Sequence, residues 1–143
     1  MIEFTPCLAF EGQCSQAIEL YKEAFGAKVK VMVLYSQANP KDFKYKDEEK
    51  DFVYYSEIMI GNNCFSLADD SIGMLDGKPQ DKSHKVSLLM QFKSNDELNA
   101  AYKILSDGAK ILTPMCSTTY CSAYTVLEDK FGICWQLMSG YGG

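Results

Sequence analysis

The side chains in this sequence that could do chemistry are few and scattered. Its single histidine, His84, stands beside Ser83 with no serine, histidine and acid arrangement around it, and reads as a surface residue. Six cysteines, Cys7, Cys14, Cys64, Cys116, Cys121 and Cys134, contain no Cys-x-x-Cys pair, and with one histidine they do not spell a zinc or redox centre. They read mainly as small buried apolar residues of a protein kept in a reducing, cytoplasmic compartment. Asp69 and Asp70 could form a carboxylate pair for acid and base work. Adjacent residues in a strand point to opposite faces, however, so the pair is expected to end a strand and shape a turn.

These residues must be positioned by elements that the hydrophobic pattern marks out. Residues 2–10 read as a strand. Gln13, Cys14 and Ser15 then lead into a helix with Ala17, Ile18, Tyr21, Ala24 and Phe25 on one face, ended by Gly26. Strands follow at 27–36, 52–60 and 64–68, with a turn at Asn62 and Asn63. Residues 37–51 are rich in charge and read as a solvated loop. After a strand at 85–93, Ser94 and Glu97 have the spacing of a capping box before a helix with Leu98, Ala101, Tyr102 and Leu105 inward, ended at Gly108. Strands at 109–114, about 120–128 and 133–138 complete the pattern, with a turn from Asp129 to Gly132.

The two halves repeat. Tyr21 and Lys22 followed by Gly26, Ala27, Lys28 and Val29 mirror Tyr102 and Lys103 followed by Gly108, Ala109, Lys110 and Ile111. Gly61, Cys64, Phe65, Ser66 and Leu67 mirror Gly132, Cys134, Trp135, Gln136 and Leu137. Such self-similarity indicates duplication of one βαβββ unit. The expected fold is therefore α+β: a single domain over 1–143, with one module at about 1–70, a linker at about 71–83 and a second module at about 84–140. One helix cannot cover both faces of a four-stranded sheet, so the two mixed sheets are expected to cup a cavity for a small-molecule ligand.

Composition agrees with one globular domain. The chain has 143 residues, 47% of them apolar, enough to bury a core without staples. A net charge of −5 gives no footprint for nucleic acid or an anionic membrane, and no run of apolar residues is long enough to span one.

Alternation along the third strand sets Ile58 and Ile60 on the helix-covered face and Tyr55, Glu57 and Met59 on the other. Glu57 is then either structurally paired or solvated, or it meets a cationic or hydrogen-donating ligand. On the last strand Trp135 falls with Ile133 and Leu137 and reads as core, opposite Cys134, Gln136 and Met138. Tyr120 and Tyr124, around the penultimate strand, either pack or offer rings and hydroxyls to an aromatic guest.

Across nearly the whole chain these residues resemble the PhnB-like branch of the vicinal oxygen chelate superfamily, which includes glyoxalase I, bleomycin-resistance proteins and ring-cleaving dioxygenases. The resemblance is carried by Pro6, Leu8, Phe10, Gly12, Ala17, Ile18, Tyr21, Phe25 and Gly26, then by Ser56, Glu57, Ile58, Ile60 and Gly61. Asp69, Asp70, Pro114 and Tyr120 continue it, and Asp129, Lys130, Phe131, Gly132 and Trp135 close it. Cys121 and Thr125 stand where the branch has glycines.

The resemblance implies the glyoxalase-like fold, a homodimer, and a site that in metal-using members carries four ligands on the first and last strands of each half. By strand position that quartet falls near Thr5, Ser66, Ser87 and Gln136, whose hydroxyls and amide are poor donors for a transition metal. No metal and no cofactor are therefore expected. Some relatives carry names from phosphonate metabolism or ubiquinone methylation, but no glycine-rich strand-to-helix loop supports a nucleotide cofactor, Gly73 and Gly77 being too isolated. The expected activity is metal-independent binding of a small molecule, with Thr5, Tyr55, Glu57, Ser66, Ser87, Tyr120, Tyr124 and Gln136 facing it. The rival expectation is a metal-dependent lyase, isomerase or dioxygenase.

Overall fold

A computed structural model of the chain describes residues 4–38, 44–69, 86–119 and 121–140. The expected linker, with Asp70 and His84, lies outside the described residues, as does Tyr120. Two compact units divide at Pro79 and Gln80.

The first unit opens with β1 (Cys7–Phe10) and α1 (Cys14–Phe25), followed by β2 (Lys28–Leu34), β3 (Val53–Ile60) and β4 (Asn63–Asp69). Its strands lie in the order β1-β4-β3-β2, with β1 parallel to β4 and the other pairs antiparallel. The amphipathic helix buries Ala17, Ile18 and Tyr21 against β3 and β4, where Ile58, Phe65 and Leu67 are also buried. Each fully buried aliphatic side chain of this kind contributes about 1.5–3 kcal/mol. Gly26 closes the helix at φ 68°, and its N–H donates to the Lys22 carbonyl.

The second unit repeats the plan with β5 (Leu88–Phe92), α2 (Asn95–Leu105), β6 (Lys110–Cys116), β7 (Ala123–Glu128) and β8 (Cys134–Ser139). The order is β5-β8-β7-β6, again with the first and last strands parallel. Leu98, Ala101 and Leu105 face a core that contains Trp135, Leu137 and Leu127. Trp135 is fully buried, as the alternation predicts, and its indole Nε1–H donates to Asp129 Oδ2 at 2.9 Å. The other oxygen of Asp129 accepts from the N–H groups of Phe131 and Ile133, fixing the turn before β8.

Several boundaries differ from the sequence reading. The first strand begins only at Cys7, so Thr5 precedes it, exposed and outside the ladder. Asn63 already belongs to β4, and β2 gives way at Tyr35 to a short 3₁₀ turn. The second helix ends at Leu105, three residues before Gly108, and β6 runs on to Cys116.

The charged segment before β3 is less of a free loop than its composition implies. Residues 44–51 contain a 3₁₀ turn, Asp47–Glu49, in which Glu49 is buried and its Oε1 accepts from the Lys46 N–H. Tyr45 lies against the fully buried Tyr35, which also meets Phe52 edge-on. The cysteines are divided in burial too. Cys14, Cys121 and Cys134 are buried, but Cys64 is half-buried, and Cys7 and Cys116 are exposed.

Candidate functional site

The register of each sheet decides which side chains share a face. In the first unit, Cys7 lies opposite Ser66, Ser66 opposite Glu57, and Glu57 opposite Val31, so one row crosses all four strands. This row points away from α1, whose side of the sheet holds the buried Ile58 and Leu67. Tyr55 and Met59 flank Glu57 on the same side of β3, with Cys64 beside Met59 on β4.

Glu57 is half-buried at the centre of this face. Its Oε1 accepts from the Cys64 thiol at 3.7 Å. The Tyr55 pKa is raised, mainly because its hydroxyl interacts with the Glu57 carboxylate, which favours keeping the proton on the phenol. The Cys64 pKa is also raised, first by burial and then by the Glu57 charge, with Lys30 opposing. Both groups are therefore neutral donors at neutral pH.

The corresponding face of the second unit is a neutral relay. Leu89 lies opposite Gln136, and Gln136 opposite Val126. The Tyr124 hydroxyl donates to Gln136 Oε1 at 2.7 Å, and Gln136 Nε2 donates to Ser87 Oγ at 2.6 Å. With its acceptor used in this way, Ser87 keeps its own hydroxyl hydrogen to donate.

Of the residues expected to face a ligand, the structure thus brings Tyr55, Glu57 and Ser66 onto one face and joins Ser87, Tyr124 and Gln136 in one chain. Thr5 does not take its expected place, because the strand position opposite Ser66 is held by Cys7. Cys7 could have been found only from the parallel register, which two strands far apart in sequence set between them.

Asp69 ends β4, as expected, but its carboxylate does more than the sequence reading gave it. Its carboxylate is buried, accepting the N–H groups of Gly12 and Cys14 on Oδ1 and that of Val53 on Oδ2, all at 2.8–2.9 Å. It ties the start of α1 to the start of β3 rather than merely ending a strand. The charge it places beside Cys14, added to the larger effect of burial, pushes that thiol up to about 12. Cys14 is a poor candidate for a nucleophile.

Residues 2–138 match the family described as 3-demethylubiquinone-9 3-methyltransferase. The chain belongs to that family. It thereby joins the PhnB-like proteins of the vicinal oxygen chelate superfamily, and the solved structures similar to it agree in fold. Protein PA1353 from Pseudomonas aeruginosa superposes with a TM-score of 0.82 at 19% identity, covering 97% of this chain and 98% of that one. The PhnB protein from Bacillus cereus gives 0.77 at 20% identity, over 96% and 99% of the two chains. A glyoxylase/bleomycin resistance protein/dioxygenase domain from Frankia gives 0.65 at 14% identity, over 98% of both. In sequence the chain is also 24% identical over 136 residues to Protein YjdN of Escherichia coli, covering 93% of this chain and 92% of that protein.

The superfamily's metal-using members raise the question of whether these residues would suit a metal. In the observed register the first and last strands of the two units offer a thiol, Cys7, a hydroxyl, Ser66, an aliphatic, Leu89, and an amide, Gln136. That donor set does not fit a transition metal. Among the described residues no three His, Cys, Asp or Glu side chains gather closely enough to hold one. Nor is any helix among them long and apolar enough to cross a membrane.

Proposed function

We propose that this PhnB-like protein binds a small molecule without a metal or other cofactor, through the sheet faces turned away from α1 and α2. The observation that carries the reading is a polar set on the corresponding face of each sheet, Tyr55 with Glu57 and Cys64 in one unit and Tyr124 with Gln136 and Ser87 in the other, in which the two tyrosines hold matching positions. Side chains of an ordinary solvated surface rarely hold such fixed donor and acceptor directions, whereas ligand sites depend on a few of them set in an apolar frame. Ser66 belongs to the same set by register.

Methyl transfer, the activity in the family's description, gains no support from the strand-to-helix turns. A nucleotide-bearing methyl donor is commonly met by glycine-rich loops that leave helix N–H groups for the ligand. Here the turn before α1 gives the N–H groups of Gly12 and Cys14 to Asp69. The reading further takes the protein to be cytoplasmic, in keeping with six unpaired cysteines, and homodimeric, in keeping with the resemblance.

The test is a thermal-shift screen against a chemically diverse small-molecule collection, on untagged protein purified without chelator and analysed for bound metals. Saturable stabilisation by a metal-free preparation, lost when Gln136 and Tyr124 or Glu57 and Tyr55 are replaced, is the expected result. Stoichiometric zinc, nickel, iron or manganese, with turnover abolished by chelator, would instead establish a metal-dependent lyase, isomerase or dioxygenase.

A further inference from the structure

We infer that the face of the first sheet turned away from α1 receives a ligand carrying a protonated amine or guanidinium, with Glu57 as its acceptor. The inference rests on the binding reading above and names the class of ligand for the same face.

Glu57 stands at the middle of the sheet, half-buried, and its two contacts are a phenol and a thiol, both neutral. Among the described residues the ion pair is Lys22 with Glu19, remote from this row; Lys30 is near enough to act on Cys64 but makes no salt bridge to Glu57. Lys28, opposite Met59 on the neighbouring strand, makes no salt bridge to Glu57 either, so the carboxylate is not tied up in an ion pair among the described residues. The carboxylate has about four acceptor positions, of which two donors occupy part, so a cationic donor can still reach it. The exposed Tyr55 ring beside it, at 41% accessibility, offers a face for the same cation.

The internal repeat shows that the architecture does not require this acid. Tyr55 corresponds to Tyr124, Cys64 to Cys134 and Ser66 to Gln136, each by strand register, whereas Glu57 corresponds to Val126. The frame around the position is kept in part: Met59 corresponds to Glu128, so the second unit has its acid two residues further along the strand, opposite Cys134, and an aliphatic side chain where Glu57 stands.

The experiment is calorimetric titration of the whole protein with 2-phenylethylamine, 2-phenylethanol and 3-phenylpropanoate, which share a ring and differ in the charge of the end group. The amine should bind about tenfold or more tightly than the alcohol, the range of one charge-assisted hydrogen bond, and the anion most weakly. Glu57→Gln should abolish the preference for the amine over the alcohol, and Glu57→Asp should restore part of it. Equal binding of amine and alcohol by the wild type, or a preference that survives Glu57→Gln, would overturn the inference and leave the binding reading standing. Failure of all three compounds to bind, while the broad screen finds other ligands, would overturn it as well. Failure of both experiments would remove the binding reading itself.

Discussion

The helices of the two units occupy equivalent places, yet their N-termini are held in different ways. Helix α2 is capped locally: Ser94 Oγ accepts the Glu97 N–H at 3.1 Å, with Asp96 and Glu97 in the first turn. Helix α1 has no side-chain cap at Gln13 and no acid in its first turn. Its cap comes from the end of β4, where the Asp69 carboxylate takes the Gly12 and Cys14 N–H groups from 55 residues or more away in sequence. The residue matching Asp69 in the second unit is Ser139, whose hydroxyl instead donates to the Asn95 side chain, as does that of Ser122. One topology needs the start of its helix satisfied, but whether a neighbour or a distant strand does so is free to differ.

The sharpest way to break this contrast is Asp69→Ala. It leaves three N–H groups without their acceptor, two of them in buried bonds, and should cost about 3–5 kcal/mol, read as a fall in denaturant midpoint. Asp69→Ser, which installs the residue of the second unit, should recover little of this, because the first residue of α1 is Cys14 and not the Asn that Ser139 meets. Loss of less than about 1 kcal/mol in either variant would mean that α1 is anchored by its apolar face alone.

A smaller effect is expected at the other helix. Ser94→Ala removes one local cap and should cost about 1 kcal/mol, since the remaining N–H groups of the first turn can still meet water. Equal losses for Ser94→Ala and Asp69→Ala in the same denaturation series would abolish the distinction between the two helix starts.

The last effect is nil at neutral pH and appears only in alkali. The folded Cys14 thiol is held to about 12, above its unfolded value near 9, so folding is favoured by this group below pH 9 and loses that support as the pH rises toward 12. By pH 10 the loss should be about 1.4 kcal/mol, and Cys14→Ala should flatten that part of the stability profile. A profile identical in the two proteins from pH 8 to 10.5 would show that the thiol ionises in the folded state as it does when unfolded.

What could be read from the sequence follows from the range of the forces involved. Helices, strands and the Ser94 cap are written in periodicities and spacings of a few residues, and alternation along single strands is enough to put Trp135 in the core and Glu57 on the face away from the helix. The sequence could not choose the parallel pairing of β1 with β4, and a strand start misplaced by five residues put Thr5 where Cys7 stands. Nor could it show Asp69 reaching back to α1, or Gln136 linking Tyr124 to Ser87, because those bonds join residues 12 to 57 positions apart. Local pattern determined which faces are apolar. Only tertiary register, set by the pairing of distant backbones, decided which polar groups on those faces meet.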